Sequence, residues 1–161
     1  LVLVAAAALW GCTLASGAWT ERGGKPAERV TVTKVIDADT LIVELDGQSE
    51  RVRLLGVDAP EMGWGDGLGE EFLAREATEL TRRLCLGQMV TLEDDPQRED
   101  RDSYGRLLRY VYLADGRMVN ELLVHEGLAQ AATFPPDVRH ADRFRAAQRA
   151  AQRAERGMWG G

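Results

Sequence analysis

Three short segments of the chain combine aspartate or glutamate with arginine, the residue types that hold metal ions and bind oxyanions. They are residues 35–40 (VIDADT), 53–61 (RLLGVDAPE) and 102–106 (DSYGR). Taken singly, each has an ordinary explanation, because an Asp-x-Asp pair usually forms an exposed Asx turn and a lone arginine usually lies on the surface. A catalytic or metal-binding site would therefore need the three segments to act together. Their order along the chain is more informative than any one of them.

Together, these segments resemble the signature of the thermonuclease family, the staphylococcal-nuclease-like domains. The resemblance runs in order over roughly residues 30–131 and includes two further runs, 118–121 (MVNE) and 127–129 (GLA). Several motifs in the right order are far more specific than any one of them. The resemblance implies an OB barrel with three helices. It also implies calcium-dependent cleavage of phosphodiester bonds in DNA and RNA, leaving a 3′-phosphate and a 5′-hydroxyl.

The resemblance assigns three residues to calcium. Asp39 and Asp58 match the carboxylate ligands, and the Thr40 carbonyl completes the protein ligands. Two aspartates near a turn supply charge to a hard cation without closing its coordination shell, so water and a phosphate oxygen can enter. Asp37 either adds to this acidic cluster or only shapes the turn.

The resemblance assigns three more residues to the phosphate. Glu61 matches the general base, while Arg53 and Arg106 match the pair that grips the scissile phosphate. Hydrolysis builds negative charge on the nonbridging oxygens, which a metal and two planar guanidiniums would neutralise. Glu61 would have to lie close enough to activate a water held by the metal.

The chain departs from the family pattern in two places and in its charge. After residues 127–129 the family commonly has tyrosines that stack on the substrate, whereas Phe134 is the aromatic residue here. The glycine-rich loop 62–69 contains Trp64, which either stacks on a base or packs against the barrel. The net charge is −6, where well-known members are basic. We therefore expect weaker substrate binding that depends more on the metal.

Composition limits the class of protein. A length of 161 residues with 45% hydrophobic residues fits one ordinary globular domain. Two cysteines and two histidines exclude a scaffold built on disulfides, a multi-cysteine zinc site and a histidine-rich metal site. The acidic balance argues against tight, nonspecific binding of polyanions by bulk charge, although a cleft can still be locally positive.

Hydrophobic periodicity predicts the elements that must position the three segments. Alternating apolar residues indicate strands at 30–36, 41–45, 52–57, 89–92 and 107–113. Helical spacing indicates helices at 70–86, 119–126 and 137–156. Three strands, a helix, two strands and then helices form an α+β order, and five short strands with an intervening helix fit a Greek-key barrel of the OB type.

Further predictions concern individual side chains. The apolar face of the helix predicted at 70–86 carries Leu73, Ala77, Leu80 and Leu84. Cys85 is expected to be a core residue, and Met89 and Trp159 are expected to pack. The acidic stretch 93–102 is expected to be solvated, and His125 and His140 receive no role. In the basic C-terminal segment, the arginines at 145, 149 and 153 share one helix face, which is either solvated or turned toward nucleic acid.

The N-terminal residues 1–18 are predicted to be a targeting segment, followed by a linker at 19–28 and the folded domain at 29–161. The apolar run 1–10 is too short to span a bilayer comfortably. Residues 9–12 (LWGC) resemble a lipobox, in which Cys12 would be lipidated. An ordinary signal-peptidase site near 15–18 and an uncleaved anchor are the alternatives. All three place the domain outside the cytoplasm.

Three functions compete at this point. The first is a secreted or surface-anchored nuclease that acts as a monomer on DNA and RNA, with no obligate protein partner. The second is a noncatalytic module of the same fold that binds nucleic acid or protein. The third is a calcium-dependent adhesion domain. Degenerate modules lose the carboxylates or arginines, and this chain keeps them, which favours the nuclease.

Overall fold

A computed structural model describes residues 27–61, 73–132 and 139–160. Its strands are β1 (Glu28–Asp37), β2 (Thr40–Leu45), β3 (Gln48–Leu54), β4 (Val57–Asp58), β5 (Met89–Glu93), β6 (Leu107–Tyr112) and β7 (Gln130–Ala131). Its helices are α1 (Ala74–Cys85), α2 (Val119–His125) and α3 (Ala141–Arg153), followed by a short 3-10 helix at Gly157–Trp159. The predicted order of elements is confirmed, with the two-residue strands β4 and β7 added.

Five strands close into a barrel in the order β1-β2-β3-β6-β5. The pairs are antiparallel except for β3 and β6, which run parallel. Closure depends on β1, which pairs with β5 along its first half and with β2 along its second. Register shifts between Val32 and Lys34 and between Val35 and Asp37 allow this strand to bend. The predicted OB-type barrel with three helices is therefore confirmed.

The barrel interior follows the alternation of the strands. Buried side chains alternate with exposed ones along the first half of β1, where Val30 and Val32 are buried. Leu41 and Val43 of β2 and Val52 of β3 are fully buried against them. Because successive side chains of a strand point to opposite faces, these positions form one continuous apolar core.

The most deeply buried side chains of α1 are smaller than predicted: Ala74, Ala77, Thr78, Thr81 and Cys85. Leu80 and Leu84 are half-buried and pack against the core, and Leu73 is also half-buried. Small side chains let the helix approach β1 closely, and the Thr81 hydroxyl donates to the Ala38 carbonyl oxygen at 2.8 Å. The predicted packing is confirmed for Ala77, Leu80, Leu84 and Cys85. The predicted helix start at residue 70 lies outside the described residues.

The predicted third strand is interrupted. β3 ends at Leu54, and the chain turns at Gly56 before β4 pairs with β7. Gly56 has φ +71°, and a Cβ atom there would collide with the Phe144 ring of α3. Only glycine fits such a position without strain. The turn separates the barrel strand from the short strand that carries Asp58.

Two further predictions were wrong, for Met89 and for the acidic stretch 93–102. Met89 is 52% exposed, whereas Trp159 is half-buried, in line with its predicted packing. The stretch 93–102 is not uniformly solvated, since the buried Asp95 accepts a hydrogen bond from the Tyr110 hydroxyl at 2.9 Å. In the part of the chain that the structure describes, no helix has the length and apolar character needed to cross a membrane.

Candidate active site

A pocket of about 600 Å³ opens between the β3–β4 turn and the segment that joins β5 to β6. Three of the predicted site residues line it: Arg53, Asp58 and Arg106. Arg53 belongs to β3 and Asp58 to β4, while Arg106 immediately precedes β6. The parallel pairing of β3 with β6 brings the second and third motif segments to one side of the barrel.

Arg53 joins two of the predicted carboxylates. Its Nη1 contacts Oδ2 of Asp39, and its Nη2 lies 3.6 Å from Oδ1 of Asp58. The two carboxylate side chains differ sharply in exposure, since that of Asp58 is 73% exposed and that of Asp39 only 10%. Asp39 therefore lies behind the guanidinium, and Asp58 faces solvent at the pocket.

Hydrogen bonds from the adjacent Thr40 and from the distant Ala59 hold the Asp39 carboxylate in this place. The Thr40 hydroxyl donates to its Oδ1 at 3.1 Å, and the Ala59 backbone N–H donates to its Oδ2 at 3.2 Å. The Asp39 N–H donates to the Asp37 carboxylate at 3.3 Å. Asp37 thus makes the Asx-type contact expected of a residue that shapes the turn.

Burial dominates the electrostatics of Asp39. It raises the pKa of this carboxyl from 3.8 to about 6, and the neighbouring Arg53 opposes the rise only in part. The negative charge of Asp37 adds to the increase. The nearby positive charge therefore does not fully compensate for the burial of the ionised carboxylate. A bound cation would supply the missing charge and lower the pKa again.

Three of the predicted site residues do not line the pocket: Asp39, which lies behind Arg53, Thr40 and Glu61. Thr40 is buried, with its hydroxyl bonded to Asp39. Glu61 is exposed, three residues beyond Asp58, and is not among the described residues that line the pocket. These positions do not test whether the Thr40 carbonyl oxygen binds calcium or whether Glu61 acts as the general base. Both roles stay predictions. Trp64 and Phe134 lie outside the described residues.

The calcium prediction rests on few protein ligands. Among the described residues, no group of three or more His, Cys, Asp or Glu side chains could hold a metal ion. Of the predicted ligands, the structure brings the carboxylates of Asp39 and Asp58 to the same side chain, Arg53.

Arg106 is held by a carboxylate of its own turn. Its Nε donates to Oδ2 of Asp102 at 2.7 Å, and its backbone N–H donates to Oδ1 of the same residue at 2.9 Å. The guanidinium carbon lies 5.4 Å from the centre of the Tyr104 ring. The side chain is only 23% exposed and reaches the pocket from the side opposite the β3–β4 turn.

Sequence analysis missed the ion pairs made around the segment that joins β5 to β6, where Arg101 lines the pocket. Arg101 forms a two-point contact with Glu50 of β3, at 2.8 and 2.9 Å, and also donates to the Gly105 carbonyl oxygen at 2.8 Å. The buried Arg109 lies 2.8 Å from Asp100. The alternation of acidic and basic residues at 98–102 was the available signal, but it was interpreted as a solvated stretch.

The run MVNE contributes a structural residue. The buried Asn120 accepts a hydrogen bond from the Val111 N–H and donates one to the Leu55 carbonyl oxygen, both at 2.9 Å. It therefore ties α2 to β6 and to the turn that follows β3. Leu55 lines the pocket, so Asn120 helps to hold this part of the pocket wall in place.

Known proteins resemble this chain over most of its length. The family model described as staphylococcal nuclease homologue matches residues 51–161. A thermonuclease of Staphylococcus hyicus is 38% identical over 146 residues, covering 89% of this chain and 84% of that protein. A thermonuclease of Staphylococcus intermedius is 41% identical over 132 residues, covering 82% and 76%.

A third relative, the endonuclease YncB of Bacillus subtilis, is 35% identical over 136 residues, covering 84% of this chain and 63% of that protein. The family match spans β3 to the C-terminal helix, and the two staphylococcal relatives cover most of the barrel as well. The barrel, the motif order and these similarities lead to one conclusion. The chain belongs to the staphylococcal nuclease family.

Proposed function

We propose that this protein is a calcium-dependent nuclease that hydrolyses phosphodiester bonds of DNA and RNA to 3′-phosphate and 5′-hydroxyl ends. The observation that carries the proposal is the pocket itself, where Arg53 and Arg106 meet beside Asp58. Two guanidiniums at one cavity suit a phosphate, because each presents paired N–H donors to its oxygens. The thermonuclease and endonuclease names of the relatives support the same activity.

The donor set around Asp39 fits calcium. Carboxylate and carbonyl oxygens are its preferred ligands, and the residues that would hold it are Asp39, Asp58 and Thr40. The raised pKa of the buried Asp39 supports this assignment, since its charge is only partly balanced by Arg53. When bound, calcium would supply positive charge to a phosphate oxygen and favour ionisation of a nearby water.

The protein's own groups would divide the remaining work. Arg53 and Arg106 donate N–H groups to the nonbridging phosphate oxygens, whose negative charge grows in the transition state. Glu61 accepts the proton of the attacking water at its carboxylate. The water oxygen bonds to phosphorus and the bond to the 5′-oxygen breaks. The 5′-oxygen leaves with the bonding electrons and takes a proton from solvent water to become the 5′-hydroxyl, and the phosphate stays on the 3′ side.

Digestion of single-stranded DNA and of RNA by the purified protein, in calcium and in chelator, tests the proposal. We expect cleavage in calcium and none in chelator. End-labelling should show that the products carry 3′-phosphates. If neither nucleic acid is cleaved in calcium, the noncatalytic alternative replaces the nuclease.

We also propose that the protein acts as a monomer outside the cytoplasm. The apolar run at residues 1–10, which lies outside the described part of the chain, supports export. If Cys12 is lipidated, the protein fractionates with membranes, and Cys12→Ala moves it to the soluble extracellular fraction. A wild-type protein that is already soluble would show that the lipobox prediction is wrong.

A further inference from the structure

Asp102 uses both of its carboxylate oxygens within one turn. Oδ1 accepts the backbone N–H groups of Tyr104 and Arg106, at 3.0 and 2.9 Å. Oδ2 accepts Nε–H of the Arg106 guanidinium at 2.7 Å. The same carboxylate therefore shapes the backbone of the turn and holds the side chain that the turn presents.

This carboxylate remains ionised when it is partly buried. Burial acts to raise the pKa of Asp102, but the donated hydrogen bonds from Arg106 and Tyr104 outweigh it and lower the pKa. A hydrogen bond between two ionised groups is stronger and shorter than one between neutral groups. The contact to Nε is thus a firm one, on a side chain that is only 18% exposed.

The contact leaves one edge of the guanidinium for a ligand. Arginine carries five N–H donors in a fixed plane, and the bond to Asp102 occupies the one on Nε. Within residues 27–61, 73–132 and 139–160, no hydrogen bond occupies the four N–H groups on Nη1 and Nη2 of Arg106, which lines the pocket. Because the plane is held at Nε by Asp102 and flanked by the Tyr104 ring, the orientation of these four donors is set before any ligand arrives.

We propose that Asp102 is a positioning residue for the nuclease reaction, which holds Arg106 by Nε so that its Nη groups meet the scissile phosphate in one orientation. The inference rests on the proposed function, because it assumes that a phosphate occupies the pocket. The contact between Asp102 and Arg106 would favour the reaction entropically. Without it, the long arginine side chain would lose its rotamer freedom only when the transition state forms, which would raise the activation free energy.

A neighbouring contact braces the same turn from outside. Arg101, held at two points by Glu50, donates to the carbonyl oxygen of Gly105, the residue that precedes Arg106. Gly105 has φ +76°, a conformation that glycine adopts readily. Asp102 thus holds both the backbone N–H and the guanidinium of Arg106, whereas Glu50, acting through Arg101, adds a second contact to the backbone of the turn alone. A loss of Asp102 should therefore loosen the guanidinium more than the backbone.

The chain offers a matched control for this arrangement. Asp115 accepts the backbone N–H of Arg117 at 3.0 Å and its Nε–H at 2.8 Å, as Asp102 does for Arg106. Neither Asp115 nor Arg117 lines the pocket. Asp115→Asn therefore removes the same type of contact from a turn with no role in the reaction.

The test compares Asp102→Asn with Asp115→Asn in steady-state cleavage of a short single-stranded DNA in calcium. We expect Asp102→Asn to lower kcat about 10-fold or more with KM unchanged or lower, because orientation is lost while a negative charge leaves the pocket. Asp115→Asn should keep wild-type kcat and KM. Asp102→Ser, whose hydroxyl can still accept the backbone N–H groups, is a second variant if Asp102→Asn folds poorly.

A double-mutant cycle shows whether Asp102 acts through Arg106. Adding Asp102→Asn to Arg106→Ala should change kcat by less than about 2-fold, since the group that Asp102 positions is already absent. An NMR measurement of the Arg106 Nε–H should show slow exchange in the wild type and fast exchange in Asp102→Asn, whether or not the protein turns over. A full effect of Asp102→Asn in the Arg106→Ala background would overturn the inference.

The outcomes separate the inference from the proposed function. If the wild type cleaves DNA and folded Asp102→Asn retains wild-type kcat, the inference is wrong and the nuclease function stands. If the wild type cleaves no nucleic acid, both are wrong.

Discussion

Two carboxylate–arginine pairs lie at the same pocket, and their electrostatics are opposite. In the first pair, burial raises the pKa of Asp39 to about 6 although Arg53 touches it. In the second, hydrogen bonds from Arg106 and Tyr104 lower the pKa of Asp102 despite the effect of burial. The contacts of Asp39 do not compensate for the cost of burying its charge, whereas those of Asp102 do. The same two residue types therefore serve two purposes, one suited to holding a cation and the other to holding an arginine.

The largest effects should come from the groups proposed to act on the phosphate. Arg53→Ala, Arg106→Ala and Glu61→Gln should each lower kcat/KM by at least about 10²-fold, the low end for one general base or one charge-stabilising donor. Steady-state cleavage of single-stranded DNA in calcium measures this. Near-full activity of Glu61→Gln would show that another group is the base.

The two arginine variants should differ in stability. Arg53→Ala leaves the buried Asp39 without its guanidinium, so in chelator it should lower the melting temperature more than Arg106→Ala, which leaves a carboxylate that still has backbone donors. Equal melting temperatures for the two variants would show that Asp39 depends on its arginine no more than Asp102 does.

Neutralising Asp39 should stabilise the calcium-free protein while abolishing activity. Asp39→Asn removes a carboxylate whose ionised form is disfavoured by burial. We expect a rise of a few degrees in chelator, since about 1 kcal/mol corresponds to about 2–4 °C in a protein of this size. Calcium should stabilise the wild type by mass action and do little for the variant.

Melting curves of both proteins, with calcium and with chelator, measure this difference. A variant that is destabilised in chelator and still gains stability from calcium would contradict the proposed site.

The pH dependence of stability should have opposite signs for the two pairs. Because the folded pKa of Asp39 is raised, its contribution to stability is present below its ordinary pKa of 3.8 and is lost as the pH rises through about 6. Because the folded pKa of Asp102 is lowered, its contribution is present above the ordinary value and is lost as the pH falls through the lowered one.

Urea unfolding in chelator between about pH 7.5 and pH 5 isolates the first contribution. The wild type should gain stability relative to Asp39→Asn as the pH falls over this range. No relative gain would mean that Asp39 is not buried as an ionised group in the folded protein.

The smallest effect should come from a third pair of the same type. Asp115 and Arg117 are both more than half exposed, so water and salt screen their attraction. Asp115→Asn should leave the melting temperature and activity nearly unchanged, at low and at high salt. A loss of activity as large as that of Asp102→Asn would show that the effect of Asp102 does not depend on its position at the pocket.

Local patterns in the sequence predicted the elements well where neighbours in sequence decide them. The Asp46-Gly47 hairpin is one example, since both residues have positive φ, at 51° and 75°, as the tight turn requires. Predictions were wrong where distant residues decide. The break after β3 depends on the Phe144 ring against Gly56, and the buried face of α1 depends on how closely it approaches β1.

The sequence by itself determined the barrel, its order of elements and the family, because alternation, turn residues and motif order are all local properties of the chain. It also named Arg53, Asp58 and Arg106, which meet at one pocket. Only the tertiary structure decided how each carboxylate there behaves. Burial and hydrogen-bond donors come from residues far apart in the chain, such as Ala59 on Asp39, and these set the charge that a carboxylate can keep.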